Sequence, residues 1–270
     1  MAGAIGRHRR TRNAAHVQLR DRVGRGGERE IVRPGDRSLP RKRRQGGAAG
    51  HAGGRQGRSE SAHPRGAEIV RARTAILISG RGSNMASLIA AAADPAFPAG
   101  IVLVISNVGS AEGLKHAAAA GIATKAIPHK AFASREAFDA ALDAALGEAG
   151  VQIVCLAGFM RILSDWFVRK WEGRLLNIHP SLLPAFKGVR VHEQALQAGV
   201  RVSGCTVHFV VRELDAGPIV AQAAVPVKPD DTPDTLAARV LQAEHKLYPA
   251  ALRQLAEGKV KLKNGRAVFA

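Results

Sequence analysis

The sequence predicts an α/β fold, a doubly wound and mostly parallel sheet with helices on both faces, formed by residues 74–270 as one domain behind a basic leader over residues 1–73. Two observations carry this expectation. From Thr74 onward, short apolar runs that end in small or polar residues alternate with Ala-rich stretches of helical period. Such alternation implies right-handed crossovers, which build a parallel sheet with helices on its faces. The second observation is a break in composition at the same point.

The leader is unlike the rest of the chain. Of the 40 Lys and Arg, 19 lie in residues 1–73 against six Asp and Glu, so most of the net charge of +18 belongs there. It has no Phe, Trp or Tyr and contains runs such as Arg41-Lys42-Arg43-Arg44. Too little apolar surface is available to offset its chain entropy, and the expectation is disorder. A basic segment of this kind binds nucleic acid or an acidic membrane surface through counterion release, but it lacks the stacking aromatics of single-strand binders. The competing reading is that translation begins near Val70 and that the leader is not part of the natural protein. No signal peptide is visible and no apolar run approaches the ~20 residues of a membrane span. The expectation is a soluble cytoplasmic protein with two buried, reduced thiols, Cys155 and Cys205.

Element by element, Thr74 to Gly80 reads T-A-I-L-I-S-G, a continuous apolar run suited to a strand covered on both sides. A helix is predicted from Ser83 to Ala93, then strand Ile101 to Ser106, helix Glu112 to Ala120 and a short strand Lys125 to Ile127. Helix Ser134 to Glu148, strand Ile153 to Ala157, helix Ser164 to Lys170 and strand Leu175 to Ile178 follow. This half is expected to be a Rossmann-like nucleotide fold. Beyond it come a short helix His192 to Ala198, strands Thr206 to Val211 and Ile219 to Val225, and a long helix from Thr232, with Pro233 at its first position, to Glu257. A last hairpin turns at Asn264-Gly265, the favoured type I′ pair.

Three constellations carry chemistry. The first βα turn, Ser79 to Asn84, reads S-G-R-G-S-N, and the amides of a helix N-terminus make a seat for a phosphate or carboxylate. It lacks the third Gly of a dinucleotide fingerprint and the G-K-[ST] of a phosphate-binding P-loop. Taken alone, its glycines serve equally well to relieve crowding. The second is L-L-N-I-H-P, in which Asn177 and His179 stand two apart at a strand end and so share a face. An amide N–H stabilises a developing oxyanion and an imidazole passes protons near neutral pH. The third is Asp215 in the connection E-L-D-A-G-P, where a carboxylate would orient His179 if the two met; as a lone turn residue it would be a cap. His208 is read as structural. No G-x-S-x-G elbow, H-E-x-x-H or Cys-His cluster occurs, and no metal site is expected.

With these residues in view, the chain from Thr74 to about Val268 resembles the phosphoribosylglycinamide formyltransferases, a folate-dependent family of purine synthesis. The likeness rests on A-I-L-I-S-G-R-G-S-N, S-R-E-A-F-D, L-A-G-F-M-R-I-L-S, R-L-L-N-I-H-P-S-L-L-P and H-F-V-x-x-E-L-D-x-G-P, in that order. The resemblance implies a catalytic trio of Asn177, His179 and Asp215. It implies that Gly82, Ser83, Asn84 and Glu244 contact the glycinamide ribonucleotide, and that Arg135, Met160, Arg161, Ile162, Leu163 and Asn177 contact the folate. It further implies 10-formyltetrahydrofolate as a consumed co-substrate with no tightly bound cofactor. The partners are then small molecules, with no membrane and no specific nucleic acid. Arg190 departs from the His that many relatives carry there and receives no role. Two rival readings remain. A formyltetrahydrofolate hydrolase shares the domain but reads H-H-S where this chain has His179-Pro180-Ser181, and a basic nucleic-acid-binding protein would explain the charge.

Overall fold

The computed structural model describes residues 70–270. The expectation of a disordered leader covers residues 1–73, of which 1–69 lie outside the described residues and Ala72 and Arg73 belong to the first strand. The first apolar run forms β1 (Ala72–Ile78), starting two residues before Thr74. Arg71 fixes this start, donating to the carbonyls of Phe97 and Ala99 over 3.0 and 2.8 Å. Ala75 and Leu77 enter one core and Ile76 and Ile78 another, as a strand with both faces covered requires.

Around β1 the chain lays down α1 (Ser83–Ala92), β2 (Ala99–Ser106), α2 (Glu112–Ala119), β3 (Ala123–Ala126), α3 (Arg135–Glu148), β4 (Ile153–Leu156), α4 (Asp165–Lys170) and β5 (Leu175–His179). Then follow α5 (Val191–Gln197), β6 (Val202–Phe209), β7 (Ile219–Pro226), α6 (Pro233–Ala256) and the hairpin β8 (Val260–Lys263) and β9 (Arg266–Phe269). Seven strands make one sheet in the order β3-β2-β1-β4-β5-β6-β7. Strands β1 to β5 pair in parallel; β6 and β7 are antiparallel. On one face Met85 and Leu88 of α1 pack with Tyr248 and Leu252 of α6, and on the other Phe138 and Leu142 of α3 pack with Phe167 of α4.

Strand order reverses between β1 and β4, and in such sheets ligands bind in the crevice beyond the carboxyl ends at that point. Three predicted helix starts prove to be caps. Ser134, Ser164 and Thr232 each accept a backbone N–H from the first turn of the helix that follows. The largest difference from expectation is β6, which begins at Val202 rather than Thr206. In the fold Gly204 is needed for close approach, because a Cβ there would lie 2.0 Å from the Ala223 carbonyl oxygen. At the hairpin tip Asn264 and Gly265 have φ of 49° and 70°, as a type I′ turn demands. Cys155 and Cys205 are buried and free, and burial pushes each thiol up to about 12. No helix among the described residues is long and apolar enough to cross a membrane.

Candidate active site

At the carboxyl end of β1 the chain turns through Gly82, which takes a left-handed φ of 77° just before α1. No side chain caps this helix, so its first amides are open to an anion. The turn is braced from α2, where the Gly113 N–H donates to the Gly80 carbonyl over 3.1 Å. Ser83 is exposed at the mouth of the turn, whereas Asn84 points inward and donates from Nδ2 to Glu244 Oε2 of α6 over 2.8 Å. Burial raises the Glu244 carboxyl above its ordinary range, and the Asn84 hydrogen bond opposes that rise. Asn84 Oδ1 is buried without a partner among the described residues.

On β5, Leu176 and Ile178 enter the core beneath α1 and α6, so Asn177 and His179 project from the opposite face. His179 is buried, with Nε2 donating to the Phe186 carbonyl over 2.9 Å and Nδ1 standing 3.4 Å from Asp215 Oδ2. Both ring nitrogens thus face acceptors, which fixes the plane of the ring. Asp215 also accepts the Gly188 N–H over 2.9 Å, which pins the 180–190 loop to the β6–β7 connection. Phe186, Arg190 and Asp215 all hold left-handed backbone, with φ of 55°, 54° and 47°. Each costs about 1–2 kcal/mol, and such strain gathers where side chains must be aimed.

Asn177 pairs directly with His208 in the antiparallel register of β5 and β6. Its Nδ2 donates to His208 Nε2 over 3.1 Å, while His208 Nδ1 donates to the Phe209 carbonyl over 2.9 Å. Burial holds His208 below the usual imidazole value, which keeps Nε2 free to accept. His192 of α5 is lowered in the same way, by burial and then by the charge of His179.

After β4 the chain runs through Met160 to Leu163 before α4. The Met160 N–H donates to Ser79 Oγ over 2.7 Å, and Ser79 in turn donates to Asn107 Oδ1 over 2.6 Å. Met160 and Ile162 are 77% and 56% exposed, forming an apolar rim, while Leu163 is buried in the core with Phe138 and Phe167. Arg161 lies over the Phe138 ring, 5.1 Å from its centroid, and Arg135 is exposed at the start of α3. Among the described residues no group of three or more His, Cys, Asp or Glu is arranged to hold a metal ion.

The sequence profile of the formyl transferase family matches residues 72–252. The chain belongs to the formyl transferase family. It is 45% identical over 192 residues to the phosphoribosylglycinamide formyltransferase of Escherichia coli, covering 71% of this chain and 91% of that protein. It is 57% identical over 197 residues, 73% of its length, to the trifunctional purine biosynthetic protein adenosine-3 of Bos taurus, of which it spans only 20%. The crystal structure of glycinamide ribonucleotide transformylase 1 from Symbiobacterium toebii superposes with a TM-score of 0.72 at 44% identity, over 74% of this chain and 94% of that one.

Within this formyl transferase fold the sequence-predicted residues fall into three neighbourhoods. His179 meets Asp215, Asn84 meets Glu244, and Met160 to Leu163 share one loop. Ser79 joins the first βα turn to that loop. Leu163 offers its side chain to the core rather than to the rim. Arg190 is exposed, 3.9 Å from Glu193. The part played by His208 was not legible. Its signal was the stretch T-V-H-F, which faces N-I-H only once β6 is known to run antiparallel to β5.

Proposed function

We propose that this chain transfers the formyl group of 10-formyltetrahydrofolate to the amine of 5′-phosphoribosylglycinamide, giving formylglycinamide ribonucleotide and tetrahydrofolate in purine synthesis. The observation that carries this reading is the imidazole of His179 held between Asp215 and the Phe186 carbonyl, with the Asn177 amide two residues before it on the same face. An amide and an imidazolium side by side suit acyl transfer between two bound reactants.

Each residue then has a task. The amides of Gly82 and Ser83 hold the ribonucleotide phosphate at the start of α1, and Glu244, positioned by Asn84, accepts from the glycinamide end. Met160 and Ile162 provide an apolar wall for the folate rings, with Arg135 and Arg161 beside it. When the amine nitrogen bonds to the formyl carbon, the carbonyl π pair moves onto oxygen. The second N–H of Asn177, free because only one is used on His208, donates to that oxygen, joined by the Nε2–H of His179 once it turns from the Phe186 carbonyl to the substrates. His179 then relays the proton lost by the attacking nitrogen toward the folate nitrogen as its bond to carbon breaks. Asp215 keeps the ring oriented and stabilises its charged form.

The test is an absorbance assay of folate deformylation by the full chain, with and without the ribonucleotide. Turnover that requires the ribonucleotide supports the reading. Turnover without it makes the chain a hydrolase, and none in either case defeats the proposal.

A further inference from the structure

One buried charge has no task in this scheme. Asp139 of α3 has no exposed surface, and the helix that carries it buries Phe138 and Leu142 in a cluster with Leu163 and Phe167. Its Oδ2 accepts the Ser164 N–H over 2.5 Å. Burial pushes its carboxyl upward, opposed first by the Ser164 bonds and then by the charges of Arg161 and Arg135. Its Oδ1 and the Nε of Arg161 are both buried without hydrogen-bond partners among the described residues. A carboxylate kept under these conditions is costly.

Its neighbours supply a reason. The loop from Met160 to Leu163 hangs between two side-chain acceptors contributed by other elements. Ser79 holds the Met160 N–H at its start and Asp139 holds the Ser164 N–H just past its end. Ser164 is also the cap of α4, so one carboxylate fixes where the loop stops and where the helix starts.

We propose that Asp139 is a positioning residue for the folate side of the site, setting the Met160–Leu163 loop through the charged acceptor it offers the Ser164 N–H. This rests on the formyl-transfer reading above. It differs from a packing role in what it predicts. Loss of the charge should loosen the folate side while sparing the ribonucleotide seat, which is built on α1 and α6 on the other face of the sheet.

The experiment is steady-state kinetics of Asp139→Asn, which keeps the volume and an oxygen to accept from Ser164 but removes the charge. The KM for 10-formyltetrahydrofolate is expected to rise about tenfold, with kcat and the ribonucleotide KM within about twofold of the parent. Should that variant not fold, Asp139→Ser, which removes the charge with a smaller polar side chain, is measured in the same way. Equal rises in both KM values, a fall in kcat alone, no change at all, or failure of both variants to fold would each overturn the proposal in favour of a structural role. A parent chain that does not transfer formyl at all overturns the functional reading and this inference with it, so the two failures are told apart.

Discussion

Asn177 and His208 stand opposite each other where the parallel part of the sheet gives way to the antiparallel part, and the amide of the first donates to the ring of the second over 3.1 Å. This bond fixes which way the Asn177 amide faces. Replacing His208 with Ala should therefore reduce kcat, by about tenfold, while Gln, which can still accept, restores most of it. Comparing the two variants in the formyl-transfer assay checks this, and equal activities would show that the amide needs no orienting partner.

The same histidine predicts a pH dependence of stability. Burial lowers His208 and His192 below the ordinary imidazole value of about 6.5, so below that pH the unfolded chain binds more protons than the folded one. Their contribution is whole above about pH 6.5 and is lost progressively as the pH falls toward the lowered folded values. Glu244 and Asp139, raised by burial, act in the opposite sense, so the useful quantity is a difference. Between pH 7.5 and pH 5.5 the Tm of the parent should fall about 2–4 °C further than that of His208→Gln for each kcal/mol involved. Parallel Tm curves for the two proteins would show that His208 is not the titrating group.

Asp215→Asn retains an oxygen for the Gly188 N–H and should fold, yet it removes the charge that faces His179. The expected result is a fall in kcat of about 10²-fold or more, with both KM values little changed. Full activity would remove Asp215 from the mechanism.

Asn84 and Glu244 test the ribonucleotide seat. With Asn84→Ala the buried Glu244 carboxylate loses its hydrogen-bond donor, which should cost about 1–3 kcal/mol of stability and raise the ribonucleotide KM while leaving the folate KM alone. Thermal melts together with the two KM values decide it. An unaltered ribonucleotide KM would mean that the pair is only structural.

How much of this could be read from sequence follows from the range of each interaction. The strand and helix alternation and the helix starts at Ser134, Ser164 and Thr232 are local, and apart from the start of β6 they were legible to within a residue or two. The trio was legible in part, because Asn177 and His179 share a strand, but the contact with Asp215 depends on a left-handed residue in a connection and on the loop that Gly188 anchors. His208, Ser79 as a bridge, and Asp139 act across elements, and no spacing along the chain reveals a partner 31, 81 or 25 residues away. The early start of β6 was not legible either, because it depends on Gly204 letting the strand approach the Ala223 carbonyl.

Gly113 makes a last, sharper test of the phosphate turn. Its N–H supports the Gly80 carbonyl, and a Cβ at that position would lie 2.5 Å from Ile78 Cδ1 and 3.0 Å from the Gly80 carbonyl oxygen. The isoleucine methyl can swing away, but the carbonyl belongs to backbone that the turn cannot move without re-aiming the amides of α1. Gly113→Ala should therefore fold, since Ala is the better helix former by about 1 kcal/mol, and still bind the ribonucleotide more weakly. A rise of about tenfold in its KM, with the folate KM unchanged, is expected from a displacement of a few tenths of an ångström at a hydrogen-bonded anion. If the variant bound the ribonucleotide as the parent does, the amides at Gly82 and Ser83 would not be what holds the phosphate, and the seat would have to be sought elsewhere along the crevice.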